Sequence, residues 1–166
     1  DLDPLKRTER PNIPDLDPAY YGFSDADQET VFDTSNTFFG KKSMPLRELI
    51  NALRETYCGT LGAEYMYTSE QTEKRWWQEK LETIRSKPNF TADTKKRILD
   101  RLTAAEGLER YLHTKYVGQK RFSLEGGESF IAAMDALIQE AAKHGVQEVV
   151  MGMAHRGRLN VLVNTL

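Results

Sequence analysis

Apolar side chains recur every three or four residues through most of the chain after residue 43, and this spacing constrains the fold more than any other feature. The first run predicts a helix that is capped at Ser43 or Met44 and carries Pro45 in its first turn. Gly59 should end it. The apolar face of this helix comprises Leu46, Leu49, Ile50, Leu53 and Tyr57.

Two further helices are predicted downstream. The second begins near Ser69 and ends before Pro88, because proline cannot continue a helix. The third is capped by Thr91, and Gly107 could interrupt it. Their apolar stripes are Trp77, Leu81 and Ile84 in the second helix, and Ile98, Leu102 and Ala105 in the third. Helices packed on one another therefore account for a helical region over residues 43–118.

Residues 1–42 differ from the rest of the chain in their prolines. Four of the six prolines lie at or before Pro18, and the apolar stretches between them are short. Because proline blocks regular pairing, the segment is predicted to be an extended N-terminal arm. A short helix capped by Ser24 is predicted within residues 22–32 of this arm.

The pattern changes again in residues 119–166. A helix is predicted up to Gly145, followed by a short β-branched apolar run at residues 148–153 and then a last helix. The two helical faces are Ile131, Met134, Ile138 and Ala141, and Leu159, Leu162, Val163 and Leu166. Helix, buried strand and helix alternate in α/β proteins with parallel sheets, so this segment is predicted to start an α/β domain.

His155 and Arg156 lie between the predicted strand and the last helix. Ligands of open α/β sheets bind beyond the carboxyl ends of the strands. A helix N-terminus and a guanidinium both favour anions there, and an imidazole can donate a hydrogen bond or move a proton near neutral pH. The alternative is that His155 caps a loop and Arg156 pairs with a surface carboxylate.

Residues 120–129, KRFSLEGGES, supply a second candidate site. The adjacent glycines Gly126 and Gly127 let a backbone approach a ligand closely, but their spacing matches neither a Walker loop nor a dinucleotide-binding motif. By residue type alone, Phe122 is expected in the core. The histidines His113 and His144 show no metal-ligand spacing with His155, so no metal site is predicted.

Composition restricts the partners. The net charge of -2 creates no long-range field for nucleic acid or an anionic membrane, and no apolar run is long enough to span a bilayer. Cys58 is the single cysteine, which favours an intracellular compartment over a disulfide framework. A chain that lacks an initiator methionine and stops within an amphipathic pattern is expected to be a fragment.

Four stretches carry a resemblance that spacing alone does not reveal. They are residues 53–67 (LRETYCGTLGAEYMY), 104–122 (AAEGLERYLHTKYVGQKRF), 120–129 (KRFSLEGGES) and 149–166 (VVMGMAHRGRLNVLVNTL). They closely resemble the thiamine-diphosphate-dependent decarboxylating components of 2-oxoglutarate dehydrogenase complexes, in their bacterial type. The resemblance implies an N-terminal fragment in which residues 119–166 are the truncated start of an α/β thiamine-diphosphate-binding domain.

The resemblance also implies an activity. Such an enzyme decarboxylates 2-oxoglutarate on thiamine diphosphate with Mg²⁺ and passes the succinyl group to a lipoyl group in the tricarboxylic acid cycle. It would be a cytoplasmic homodimer that works with dihydrolipoamide succinyltransferase and dihydrolipoamide dehydrogenase components. The family's Gly-Asp-Gly and Asn metal ligands and its activating glutamate have no match here, so the fragment alone is expected to be inactive.

Three residue roles follow from the matched motifs. The histidine matching His155 binds the oxo acid and its intermediate and acts in catalysis, the phenylalanine matching Phe122 packs in the substrate pocket, and the arginine matching Arg156 contacts the cofactor. For Gly126 and Gly127, the resemblance implies only a structural role. Two alternatives stay open: residues 43–117 as a stand-alone helical docking module, or a related thiamine-dependent 2-oxo acid decarboxylase.

Overall fold

The computed structural model describes residues 13–166, so the part of the predicted arm at residues 1–12 lies outside the described residues. Its contacts divide the chain into two compact units, the first ending at Asn89 and the second starting at Phe90. The helices are α1 (Leu46–Tyr57), α2 (Gln71–Thr83), α3 (Ala92–Lys115), α4 (Ser129–Lys143) and α5 (Arg158–Asn164). The strands are β1 (Val31–Asp33) and β2 (Ser43–Pro45). The domain limits at residues 42 and 118 stay predictions.

The described part of the arm consists of short 3-10 turns followed by β1. The turns are Pro14–Leu16, Pro18–Tyr21 and Asp25–Asp27. Ser24 precedes the last of them, and its amide and hydroxyl both donate to Asp27 Oδ2 at 2.8 Å. The predicted short helix with Ser24 at its start is therefore confirmed as a single turn.

The start of α1 differs from the prediction. Ser43–Pro45 forms β2, which pairs antiparallel with β1 and places Met44 opposite Phe32. The expected cap at Ser43 or Met44 is wrong, because these residues belong to the strand. Carbonyl groups replace a side-chain cap: the amides of Leu46 and Arg47 donate to Thr30 O at 2.9 Å and Gln28 O at 3.1 Å.

A buried carboxylate joins α2 to the rest of the first unit. Glu82 Oε2 accepts a hydrogen bond from the Phe38 amide at 2.7 Å, and Glu82 Oε1 accepts one from the Tyr57 hydroxyl at 2.7 Å. Burial, followed by the hydrogen bonds to Tyr65 and Glu82, raises the pKa of Tyr57 above its ordinary value. The hydroxyl therefore remains a donor, and one side chain of α2 fixes both α1 and the turn after β1.

The predicted apolar stripes of the first unit are only partly buried. In α1, Leu46 is buried, whereas Leu53 and Tyr57 are exposed; Leu81 of α2 is buried, and Ile84, directly after α2, is exposed. The face of α1 that carries the stripe lines a largely apolar cavity of about 430 Å³ together with residues of the 3-10 turns and β1. The stripe thus faces an open groove instead of a closed core.

In the second unit, α3 packs against both α4 and α5. The predicted cap is confirmed, since Thr91 Oγ1 accepts a hydrogen bond from the Thr94 amide at 3.2 Å. The expected interruption at Gly107 does not occur, because α3 continues through it to Lys115. A glycine costs about 1 kcal/mol in a helix interior, and buried residues, Ala105 and Glu109, lie on either side of it. The core consists of Ala105, Leu124, Ile131 and Val161.

The faces of α4 and α5 have different outcomes. Ile131 is buried, and the other predicted core positions of α4 are half-buried, so its face is confirmed. At α5, Asn160 and Val161 are buried, and the apolar residues that predicted the helix, Leu159, Leu162, Val163 and Leu166, are exposed. The reason is that Asn160 Nδ2 donates to Ala105 O at 2.9 Å, which turns its side of the helix inward.

The segment 148–153 also departs from the prediction. It forms no strand, and Val150 is 97% exposed. Residues 13–166 contain no parallel sheet, and their single sheet is the antiparallel pair of β1 and β2. A strand needs a neighbour to pair its amides and carbonyls, and the described residues provide none for this segment. The described fold is therefore mixed helical. No helix within residues 13–166 has the length and apolar character needed to cross a membrane.

We predict that Glu82→Gln destabilises the first unit by about 1–3 kcal/mol, because the new NH₂ group faces a buried donor and leaves it without an acceptor. Urea denaturation followed by circular dichroism measures the free energy of unfolding. Glu79→Gln, an exposed change on the same helix, is the control and should leave it nearly unchanged. Equal effects of the two substitutions would contradict the role of Glu82.

Gly157→Ala should destabilise the second unit more than Gly118→Ala. Both glycines have left-handed backbones, with φ of +73° and +81°, so each alanine costs about 1 kcal/mol in backbone strain. An added Cβ at Gly157 would also overlap the Leu124 side chain, whereas one at Gly118 meets nothing within 4 Å. Overpacking adds about 1–3 kcal/mol. Equal midpoints of urea denaturation would show that Leu124 does not restrict this position.

Candidate functional site

Two segments far apart in the sequence meet in the second unit. The Gly157 amide donates to Phe122 O at 2.6 Å, and Arg156 Nη2 donates to Glu125 O. These bonds join the turn at residues 155–157 to the loop at residues 122–126. The structure thereby brings the two candidate sites of the sequence into one place.

The Phe122 and His155 rings form the centre of this arrangement. Their centroids are 5.0 Å apart and their planes are inclined by 37°. Phe122 is 42% exposed, so the expectation from its residue type, a place in the core, is wrong. Its backbone is left-handed with φ of +49°, a conformation that costs a non-glycine residue about 1 kcal/mol or more. Such strain persists only where the surrounding contacts fix it, and it is concentrated at functional sites.

Two guanidinium groups belong to this arrangement. Arg158 Cζ lies 5.3 Å from the centroid of the Phe122 ring, in the range of a cation–π contact. Arg156 uses one donor on Glu125 O, and its side chain is otherwise exposed. The sequence reasoning missed Arg158, although its position two residues after Arg156 in the motif His-Arg-Gly-Arg was a signal. The patch therefore combines an imidazole, an aromatic face and two permanent cations, which suits an anionic ligand.

The backbone contributes less to anion binding than the sequence indicated. Helix α5 has only seven residues and begins at Arg158, and two amides at this end already have partners. The Gly157 amide donates to Phe122 O, and the Arg158 amide donates to His155 O at 3.2 Å. These two amides are therefore not available to an anion.

The two adjacent glycines of the loop lie against other parts of the site. Gly126 has φ of +82°, and a Cβ added to it would lie 3.7 Å from Arg156 Nη2. Gly127 donates its amide to Leu124 O at 2.7 Å and packs closely on the Leu124 side chain. Both glycines thus allow close packing in the loop that carries Phe122.

A buried carboxylate lies beneath the two segments. Glu109 on α3 is 3% exposed. Its Oε1 accepts hydrogen bonds from the Leu124 amide at 3.1 Å and from Asn160 Nδ2 at 3.0 Å. Its Oε2 has no hydrogen-bond partner among residues 13–166 but lies 3.6 Å from Arg121 Nη1. One side chain therefore contacts α5 and the loop that carries Phe122.

The charge state of Glu109 follows from these contacts. Burial raises the pKa of this carboxyl, but the hydrogen bonds from Asn160 and Leu124 and the charge of Arg121 outweigh burial and hold the pKa below its ordinary value. Glu109 is therefore ionised at neutral pH. Sequence reasoning missed it, although a glutamate four residues after Ala105 continues the apolar stripe of α3 and was a detectable signal.

The other histidines lie away from the ring pair. His113 Nδ1 is 3.0 Å from Arg121 Nη2, and His144 Nε2 is 3.3 Å from Glu140 Oε1 on the surface. Across residues 13–166, no three His, Cys, Asp or Glu side chains are grouped so that they could hold a metal ion. The described site thus offers cations and an imidazole.

Comparison with known proteins gives relatives over the whole chain, although no family model matches it. The chain is 78% identical over 166 residues to a 2-oxoglutarate dehydrogenase E1 component of Cupriavidus necator, covering all of the chain and 18% of that protein. It is 48% identical to the protein of the same name from Azotobacter vinelandii, over 99% of the chain and 18% of the relative. A multifunctional 2-oxoglutarate metabolism enzyme of Mycolicibacterium vanbaalenii is 47% identical, over 99% of the chain and 13% of the relative.

The chain spans less than a fifth of the length of these relatives. Both segments of the candidate site, residues 122–126 and 155–157, fall inside the matched region. The resemblance expected from the four sequence stretches is confirmed by identity along the entire chain. From end to end, the chain is therefore homologous to one segment of the 2-oxoglutarate dehydrogenase E1 component.

Proposed function

We propose that the chain is part of an enzyme that decarboxylates 2-oxoglutarate with thiamine diphosphate and Mg²⁺. The succinyl group then passes to a lipoyl group as a step of the tricarboxylic acid cycle. The observation that carries the proposal is the 78% identity over the full chain to a protein named 2-oxoglutarate dehydrogenase E1 component. The ring pair of Phe122 and His155, with cations beside it, supports the proposal at the level of chemistry.

His155 is the residue that acts on the substrate in this proposal. Its exposed imidazole can donate a hydrogen bond from a ring nitrogen to an oxygen of the oxo acid. The Phe122 ring, 5.0 Å away, limits the positions that the imidazole can adopt and offers an apolar wall on one side of the substrate. An apolar wall favours loss of a carboxylate, because the charged starting group is poorly solvated beside it.

Arg156 is the residue proposed to contact the cofactor. Its guanidinium is exposed apart from the bond to Glu125 O, so it retains donors in the planar arrangement that matches diphosphate oxygens. Thiamine diphosphate, when bound, supplies the carbon nucleophile and the electron sink for decarboxylation. The donor set of this chain fits the anionic part of that cofactor. The Mg²⁺ ligands are expected in another part of the complete protein.

The remaining parts of the proposal concern the complete protein. We place residues 119–166 at the start of an α/β thiamine-diphosphate-binding domain with a parallel sheet, in which segment 148–153 pairs with strands outside this chain. The complete protein would be a cytoplasmic homodimer with dihydrolipoamide succinyltransferase and dihydrolipoamide dehydrogenase components as partners. The 166-residue chain alone would not turn over substrate. A stand-alone docking module would leave the ring pair of Phe122 and His155 without a role.

His155→Ala in the complete protein should lower the rate of 2-oxoglutarate decarboxylation by about tenfold to a thousandfold, because one positioned proton donor is lost. Reduction of an artificial electron acceptor measures this rate without the partner components. His144→Ala, an exposed histidine at the end of α4, is the matched control and should retain the wild-type rate.

Two outcomes would contradict the proposal. An unchanged rate in His155→Ala would remove this residue from the reaction. A complete protein that decarboxylates a shorter, monocarboxylic 2-oxo acid in preference to 2-oxoglutarate would favour the related thiamine-dependent decarboxylase instead.

A further inference from the structure

We propose that Glu109 is a positioning residue, whose carboxylate sets the placement of Phe122 relative to His155. The inference rests on the proposed function, since it concerns the same pair of rings. It identifies a residue on α3, outside the two segments that form the site. Because Glu109 is buried, it would act only through its neighbours.

The first part of the argument is the set of elements that meet at Glu109. The Leu124 amide, which donates to Oε1, lies two residues after Phe122. Asn160, which donates to the same oxygen, lies on α5, directly after the turn that carries His155. The carboxylate of Glu109 is therefore shared between the two segments whose separation determines the distance between the rings.

Arg121 provides a third connection, next to Phe122 in the sequence. Its Nη1 donates to the backbone oxygen of Glu109 at 3.2 Å and lies 3.6 Å from Oε2. The Arg121 side chain is itself largely buried. The left-handed backbone of Phe122 is thus held on both sides, at Arg121 and at Leu124, by bonds to one residue of α3.

The second part of the argument is that the apolar contacts are not specific enough to fix the rings. The core beneath the site has only four buried members, Ala105, Leu124, Ile131 and Val161, and apolar packing is non-directional. Hydrogen bonds to an ionised acceptor are short-range and directional, and a buried donor that loses its acceptor is destabilised. Removal of the carboxylate should therefore allow the loop and α5 to shift relative to one another while the core persists.

The test is a double-mutant cycle in the complete protein, with Glu109→Ala, His155→Ala and the pair combined. The measured quantities are kcat/KM for 2-oxoglutarate and the Kd of 2-oxoglutarate by calorimetry, with thermal denaturation to establish that each variant is folded. Glu106→Ala, an exposed change one turn earlier on α3, is the control and should behave as wild type.

Glu109→Ala is expected to lower kcat/KM at least tenfold when His155 is present and less than twofold when His155 is already alanine. Non-additivity of this kind shows that Glu109 acts through the ring pair. Glu109→Gln, which keeps one acceptor oxygen for the Leu124 amide and Asn160, should restore part of the loss. If Glu109→Ala does not fold, the same cycle is carried out with Glu109→Gln, for which a smaller loss with the same non-additivity is expected.

Each contrary outcome is distinct. An equal fold-loss with and without His155 would show that Glu109 only stabilises the unit, and the inference would be overturned. A folded Glu109 variant with wild-type kcat/KM and Kd would overturn it as well. If His155→Ala alone had no effect, the proposed function of the site would fail first, so the two failures can be told apart.

Discussion

The buried carboxylate of Glu109 connects the elements of the second unit. It lies where α3, α5 and the loop after α3 converge, and it accepts hydrogen bonds from a backbone amide and a side-chain amide. The first unit has the same arrangement: Glu82 on α2 accepts hydrogen bonds from the backbone amide of Phe38 and the hydroxyl of Tyr57. In both units a helix thus holds an irregular segment through one acidic side chain. This solution satisfies donors that a small apolar core cannot satisfy.

These carboxylates also explain where sequence reasoning succeeded and where it failed. The existence of α1 to α5, the cap at Thr91 and the inward face of α4 follow from local spacing and residue type, and the structure confirms them. The orientation of α5 does not follow from local spacing. Four apolar residues define a stripe, but the helix buries Asn160 instead. The side-chain amide of Asn160 donates hydrogen bonds to Ala105 O and Glu109 Oε1. A hydrogen-bond partner 51 residues away in sequence leaves no trace in a local pattern.

The candidate site was predictable to a similar extent. His155 and Arg156 were found from their place between an apolar run and a helix, and Phe122 was assigned to the same site only through the family resemblance. The structure brings Phe122 and His155 together, whereas residue type alone had placed Phe122 in the core. Arg158 was missed because a cation above an aromatic ring depends on a loop conformation. The left-handed backbone of Phe122 could not be foreseen, since phenylalanine rarely adopts it.

The segment at residues 148–153 has a consequence for how a larger protein could assemble. It lies between α4 and the turn at His155, and it belongs to no strand among residues 13–166. Its amides and carbonyls are therefore available as a template, and a strand added beside it would displace no existing ladder. A sheet can nucleate there and grow outward, and each added strand would stiffen the backbone leading directly to the imidazole.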